Sequence, residues 1–200
     1  FALWLGLIPE ADRPRAAQLM RDDLVARDYR FTTGNLCTRY LLDMLTEYGY
    51  VDDAYRLMTR EEYPSFGYMI QQEATTIWER FELKKNPGMN SHNHPMYGAV
   101  GAWFFTGLAG IRPVEAGFSR CLIRPAFPRE LMSLQASVDT ARGRVTVKWV
   151  KRYGRLHLYV DLPPSVTAQL LFAGRRQTLE PGSHHLSVPL AEGSEMGQRV

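Results

Sequence analysis

Apolar side chains in residues 1–112 recur every three or four positions, the spacing expected of amphipathic helices. The strongest stripe covers residues 36–48 and lies between Gly34 and Gly49, which predicts one helix that stops at a glycine. Further helices are predicted over residues 12–29, 51–60 and about 95–108, with a short helix or turn ahead of residue 79.

Beyond Gly117 the hydrophobic period changes to two. The segments "RVTVKWV" (144–150) and "RLHLYVDLP" (155–163) alternate apolar with polar side chains, and a glycine lies in the turn between them. Together with "VTAQLLFAG" and "HHLSVPL" they predict five to seven short antiparallel strands, which form a small β-sandwich. We place the boundary so that residues 1–113 form the helical domain and residues 114–200 the β-sandwich domain.

Several predicted helices carry apolar stripes too broad for a free-standing bundle of four or five helices. We therefore expect them to form part of a larger toroid of paired helices, covered on its exposed side by further sequence or by a second chain. The opening "FALWLGLIPE" is typical of the end of a helix and lacks the basic leader of a signal peptide, so the chain is interpreted as part of a longer protein. The polar end "AEGSEMGQRV" is expected to fray.

Composition excludes several classes of function. The net charge of +3 comes from 24 basic and 21 acidic residues without a long basic run, which argues against nucleic-acid binding. No apolar run approaches the roughly 20 residues that span a bilayer, so no membrane span is expected. Cys37 and Cys121 lie too far apart in sequence for a zinc motif or a disulfide framework, and we expect both to be buried. Nucleotide-binding and nucleophile-elbow motifs are absent from the sequence, and no cofactor is expected.

The segment "ATTIWERF" (74–81) sets the carboxylate of Glu79 between Trp78 and Arg80. In a cleft, the indole would desolvate the carboxyl group and favour its protonated form, whereas the guanidinium would favour the carboxylate that a general base requires. Considered alone, the segment favours a glutamate on a helix surface beside Arg80. Both interpretations stay open at this point.

The segment "NSHNH" (90–94) gathers hydrogen-bond donors and acceptors ahead of a predicted helix. Neutral polar groups in such density suit the hydroxyl groups of a sugar. A second interpretation, which can hold together with the first, is that Ser91 or Asn93 caps the following helix, with Pro95 in its first turn. His92 and His94 have no third ligand at a suitable spacing, so no metal site is expected.

Residues 32–81, "TTGNLCTRYLLDMLTEYGYVDDAYRLMTREEYPSFGYMIQQEATTIWERF", resemble the bacterial α-L-rhamnosidases, which are inverting glycoside hydrolases with an (α/α)6 catalytic barrel. The segments "GMNSHNHPMYGAVGAWFFTGLAGIRP" and "GFSRCLIRP" extend the resemblance, which covers most of residues 1–160. The resemblance implies an α + β multidomain chain in which part of an (α/α)6 toroid precedes an antiparallel β-sandwich.

The resemblance also implies roles for individual residues. Glu79 matches the general base of the family, His94 matches a residue that contacts bound rhamnose, and Trp78 is expected to line the same pocket. The family's general acid lies upstream of every motif matched here. Because inverting hydrolysis needs both carboxyl groups, about 6.5–9.5 Å apart, we expect these 200 residues alone to be inactive. Phe81 stands where many relatives have tryptophan and should leave the barrel wall apolar.

The expected substrate is a rhamnosyl glycoside. Two alternatives to this function stay open. The chain could be a non-catalytic protein that binds glycans or associates with itself through an exposed helical face, as a homo-oligomer. It could also belong to an (α/α)6 hydrolase that acts on another sugar.

Overall fold

The computed structural model describes residues 1–83 and 91–190. The chain divides into two compact units, Phe1–Gly101 and Ala102–Val200. This division concerns compactness alone, and the domain boundary placed at residues 113/114 from the sequence stays a prediction. Asn90 and the polar tail predicted to fray lie outside the described residues.

The helices of the first unit follow the hydrophobic pattern closely. Pro14 lies in the first turn of α1, as predicted, and the Ser65 hydroxyl accepts a hydrogen bond from the Tyr68 amide at 2.9 Å, which caps α4. The five α-helices in the described part of the chain are α1 (Arg13–Ala26), α2 (Asn35–Glu47), α3 (Val51–Thr59), α4 (Phe66–Gln71) and α5 (Pro95–Gly98), and they form no closed barrel.

The prediction of one regular helix over residues 95–108 is wrong. The structure has the short helix α5, then a 3-10 turn at Ala99–Gly101, then a π-helical turn at Phe104–Leu108. The segment contains Gly98, Gly101 and Gly107, and glycine is a poor residue in a helix interior because it loses the most backbone freedom on folding.

The core of the helical unit combines buried leucines with a cluster of aromatic rings. Leucine side chains at 0% exposure lie between α2 and α3, namely Leu42, Leu45 and Leu57. Four rings pack beside them with centroids 5.1 to 5.3 Å apart in successive pairs, namely Phe31, Phe66, Phe81 and Tyr97. Phe81 therefore keeps this wall apolar.

The described residues of the second unit form eight strands in two sheets of four, more than the five to seven strands predicted. The strand order is β1-β2-β6-β7 in one sheet and β3-β4-β5-β8 in the other. The strands are β1 (Ile111–Pro113), β2 (Arg120–Ile123), β3 (Ser133–Thr140), β4 (Gly143–Arg152), β5 (Arg155–Leu162), β6 (Thr167–Phe172), β7 (Arg175–Leu179) and β8 (Gly182–Pro189).

One pair of strands departs from the predicted antiparallel arrangement. Strands β2 and β6 run parallel, with Arg120 opposite Thr167, and every other strand pair among the described residues is antiparallel. The chain leaves the first sheet after β2, builds β3 to β5 in the second sheet, and returns beside β2 in the same direction. Parallel neighbours require such a crossover.

The two sheets share one hydrophobic core, which confirms the sandwich. The inward positions of β4 and β5 are fully or almost fully buried and alternate with outward polar positions, as the period of two predicted. The indole of Trp149, 0% exposed, donates a hydrogen bond to the Leu108 carbonyl at 3.1 Å. Cys121 is buried in this core, whereas Cys37 is half-buried, and both thiols are free.

Candidate functional site

The predicted site residues lie on two extended segments that hydrogen-bond to each other. The Glu79 amide donates to the Ser91 carbonyl at 2.9 Å, and the His94 amide donates to the Ile77 carbonyl at 2.8 Å. The Thr76 hydroxyl also donates a hydrogen bond to the His92 carbonyl. These bonds fix residues 76–79 against residues 91–94, so Glu79 and the polar segment before α5 are brought together.

The carboxylate of Glu79 is oriented by a backbone amide. Its Oε2 accepts a hydrogen bond from the Ser91 amide at 3.0 Å, and the residue is half-buried. The guanidinium of Arg80, its sequence neighbour, instead forms an ion pair with Glu82 at 3.4 Å. A carboxylate has about four lone-pair sites, so one amide bond can orient it and still leave it able to accept a proton.

Trp78 forms a buried wall next to this segment. Its side chain is 5% exposed, and its ring centroid lies 5.2 Å from that of His92 with 36° between the planes. Glu79 therefore directly follows a large buried side chain in sequence. The exposed ring of His92 lies against that side chain.

His94 begins helix α5 without capping it. It occupies the N-cap position, its side chain makes no capping hydrogen bond, and Pro95 occupies the first turn as predicted. The Ser91 hydroxyl donates to the Asn93 carbonyl at 2.8 Å and accepts from the Asn93 amide at 3.0 Å, so it stabilises the loop. The interpretation that Ser91 or Asn93 caps this helix is therefore wrong.

The ring of His94 contacts a residue that the sequence did not single out. Its Nε2 lies 3.0 Å from Nδ2 of Asn35, the first residue of α2. Asn35 belongs to the motif "TTGN" at the start of the family-like stretch, but no spacing rule connects two residues 59 positions apart. A contact of this kind follows from tertiary folding alone.

The arrangement combines an oriented carboxylate, an oriented imidazole and several polar groups of the loop. The described residues hold no group of three or more histidine, cysteine, aspartate or glutamate side chains that could share a metal ion. None of the helices over residues 1–83 and 91–190 has the length and apolarity required to cross a membrane. A carboxylate of this kind can take a proton from water, and an imidazole can donate a hydrogen bond to a hydroxyl group.

Comparison with known families shows to which family the chain belongs. Residues 1–108 match the model of the bacterial alpha-L-rhamnosidase 6 hairpin glycosidase domain, and residues 110–187 match that of the bacterial alpha-L-rhamnosidase C-terminal domain. The chain belongs to the bacterial α-L-rhamnosidase family. The resemblance inferred from the sequence is confirmed, as is a helical part followed by a β-sandwich.

Curated α-L-rhamnosidases match over most of this chain. That of Streptomyces avermitilis is 38% identical over 174 residues, which is 84% of this chain and 17% of the relative. That of Formosa agariphila is 37% identical over 175 residues, which is 84% of this chain and 19% of the relative. The chain thus spans less than a fifth of the length of these glycoside hydrolases.

Solved structures agree with the sequence comparison. The S. avermitilis α-L-rhamnosidase complexed with L-rhamnose superposes with a TM-score of 0.85 at 34% identity, over 94% of this chain and 21% of that structure. The native enzyme from Aspergillus terreus superposes with a TM-score of 0.87 at 29% identity, over 94% and 23%. The α-L-rhamnosidase family therefore shares the fold of both units. The roles of Glu79, Trp78 and His94 stay predictions.

Proposed function

We propose that this chain forms the general-base side of an α-L-rhamnosidase, which hydrolyses terminal α-L-rhamnosyl bonds with inversion. The observation that carries the proposal is the carboxylate of Glu79, oriented by the Ser91 amide beside the His94 segment, in a chain of this family. Family membership supports the reaction class, and the hydrogen bond from the Ser91 amide supports a carboxylate held in one orientation.

In the proposed reaction, Glu79 removes a proton from a water molecule while the water oxygen bonds to the anomeric carbon. The bond from that carbon to the departing glycosidic oxygen breaks at the same time, and its electron pair stays on that oxygen. A general acid protonates the oxygen. We assign the acid to a part of the enzyme outside these 200 residues, placed across the sugar at about 6.5–9.5 Å from Glu79.

We assign sugar contacts to the two other predicted residues. His94, as the ring held by Asn35, donates a hydrogen bond to the bound rhamnose. Trp78, which is 5% exposed, supports the pocket as a buried apolar wall beneath the loop. Such walls exclude water from a site and strengthen the polar contacts inside it.

The helical unit has an apolar surface that supports a further part of this proposal. Large apolar side chains are strongly exposed there, among them Phe1 at 56%, Leu7 at 72%, Leu36 at 65% and Ile70 at 73%. A contiguous exposed apolar patch is typical of an interaction site, and these side chains are the candidates for one. We propose that the remaining helices of a complete toroid cover it. A second copy of the chain is the competing occupant and would make the chain a self-associating protein.

A chimeric enzyme tests the proposed reaction. Residues 1–187 replace the matching segment of the S. avermitilis α-L-rhamnosidase, and 4-nitrophenyl α-L-rhamnoside is the substrate. We expect hydrolysis in which the β-anomer of rhamnose appears first in proton NMR spectra. A folded chimera that releases the α-anomer first, or that prefers another aryl glycoside, would contradict the proposal.

The chain alone provides the complementary test. We expect no release of nitrophenol from the aryl rhamnoside by the isolated 200 residues. Release that disappears in Glu79→Gln would refute the assignment of the acid to another part of the enzyme. Size-exclusion chromatography with a rhamnose titration separates the competing class, since a dimer without rhamnose binding favours self-association.

A further inference from the structure

The contact between Asn35 and His94 bears on which ring nitrogen carries the proton. The atom that approaches Nε2 of His94 at 3.0 Å is the amide nitrogen Nδ2 of Asn35. An amide nitrogen only donates hydrogen bonds, so with the Asn35 side chain in this orientation Nε2 is the acceptor and carries no proton. In neutral His94 the proton then lies on Nδ1.

The ring of His94 contacts a residue outside the helix that His94 begins. Residues at the N-cap commonly use a side-chain acceptor to satisfy a free amide of the first turn. His94 makes no such bond, and its ring instead contacts the amide of Asn35. The ring is therefore oriented by a residue of another helix and not by its own.

The segment that carries Asn35 is itself firmly held. The Thr38 hydroxyl, 1% exposed, donates to the Gly34 carbonyl at 2.9 Å and lies 2.8 Å from the Thr33 hydroxyl. The Tyr97 hydroxyl donates to the Thr33 carbonyl at 3.2 Å. Residues 33–35 and 94–97 are thus joined by two separate hydrogen bonds, so the amide of Asn35 has a defined position relative to the imidazole.

We propose that Asn35 is a positioning residue of the rhamnose site, which holds His94 as the Nδ1–H tautomer and so presents an N–H donor to an oxygen of the sugar. The tautomer follows from the orientation of the Asn35 amide, and the contact with the sugar rests on the proposed function. The site would then favour a sugar hydroxyl that accepts from His94 over one that donates to it.

The substitution Asn35→Asp tests the tautomer because it keeps the side-chain shape and replaces the donor by an acceptor. A carboxylate facing Nε2 requires a proton on that nitrogen, so the neutral tautomer should reverse. Asn35→Ala should remove the preference. Asn93→Ala is the control, because Asn93 is an exposed asparagine next to His94 and its hydrogen bonds to other described residues use its backbone.

The measurement is long-range proton–nitrogen NMR of the histidine rings in the whole chain. It is recorded well above the ordinary histidine pKa of about 6.5, where a protonated and a bare ring nitrogen resonate far apart. The His94 signals are identified by their loss in His94→Gln, and amide spectra show that each variant is folded. We expect Nδ1–H in the unaltered chain and in Asn93→Ala, and Nε2–H in Asn35→Asp.

A proton on Nε2 in the unaltered chain, or the same tautomer in Asn35→Asp and the unaltered chain, would overturn the positioning role. Addition of L-rhamnose then tests the second half of the proposal. We expect it to shift the Nδ1 signal of His94, and to shift it less in a folded Asn35→Ala. An unshifted signal in a chain with the expected tautomer would overturn the sugar contact and leave the tautomer assignment standing.

Discussion

Gly110 should be among the least replaceable residues of the β-sandwich unit. Its φ is +71°, and a methyl group placed on it would lie 2.1 Å from the carbonyl carbon of Arg124 and 2.3 Å from the nitrogen of Pro125. Gly154 has nearly the same backbone angle, +68°, but nothing lies within 4 Å of its added methyl group. The substitutions Gly110→Ala and Gly154→Ala therefore differ in steric space and share the same backbone strain.

The expected difference follows from these distances. Both variants take on a left-handed alanine, at a cost of about 1–2 kcal/mol. Carbon atoms pack at about 3.5–4.0 Å, so at Gly110 the backbone has to move apart by more than about 1 Å. Such a shift breaks the hydrogen bond from the Arg124 amide to the Gly110 carbonyl, now 2.9 Å. Loss of a buried partner adds about 1–3 kcal/mol, which gives a total of roughly 2–5 kcal/mol.

Amide hydrogen exchange of the buried strands β4 and β5 measures this free energy, because their slowest amides exchange through opening of the whole sandwich. We expect Gly110→Ala to lower the opening free energy by at least about 1 kcal/mol more than Gly154→Ala does. Equal losses in the two variants would refute the steric argument and leave only the shared backbone strain.

Two further predictions concern buried groups of the same unit. Lys151 is 9% exposed, and its ammonium donates hydrogen bonds to the carbonyls of residues 127–129. Lys151→Met should therefore lower the free energy of unfolding in urea by about 2–3 kcal/mol. Lys148→Met, on the exposed face of the same strand, should lower it by less than about 0.5 kcal/mol. Equal costs would show that the carbonyl contacts contribute nothing. Burial raises the pKa of Cys121 from 9.0 to about 11. The thiol of the unfolded chain therefore loses its proton at a lower pH than the folded one, and the free energy of unfolding falls as the pH rises from 9.0 to about 11. The fall is at most about 1.4 kcal/mol per pH unit. The urea midpoint measured at several pH values should show this slope, and an unchanged slope in Cys121→Ala would contradict it.

Local periodicity predicted the regular elements well. The stripe at residues 36–48 became α2, and the alternation in residues 144–150 and 155–163 became β4 and β5, since one buried face repeats at the period of its element. The irregular helical segment at residues 95–108 was mispredicted. Its glycines weaken a helix, but the particular 3-10 and π turns depend on tertiary packing.

Contacts between distant segments were beyond local patterns. The parallel pairing of β2 with β6 depends on the order in which the chain visits two sheets. The bonds between residues 76–79 and 91–94, and between Asn35 and His94, likewise depend on the folded helices. The motif resemblance could propose Glu79 and His94 as site residues. The residues that orient them, Ser91 and Asn35, could be identified only from the structure.

Activity of Glu79 variants in the chimeric enzyme tests the central claim most directly. Glu79→Gln should lower kcat on the aryl rhamnoside by at least about a hundredfold, as expected for loss of a general base, while Glu82→Gln, a nearby partner of Arg80, should retain most activity. Azide needs no deprotonation to attack the anomeric carbon, so it should restore turnover in Glu79→Ala and yield the β-rhamnosyl azide. A folded Glu79→Gln enzyme with unaltered kcat, or a Glu79→Ala enzyme that azide does not rescue, would contradict the assignment of Glu79 as the water-activating base.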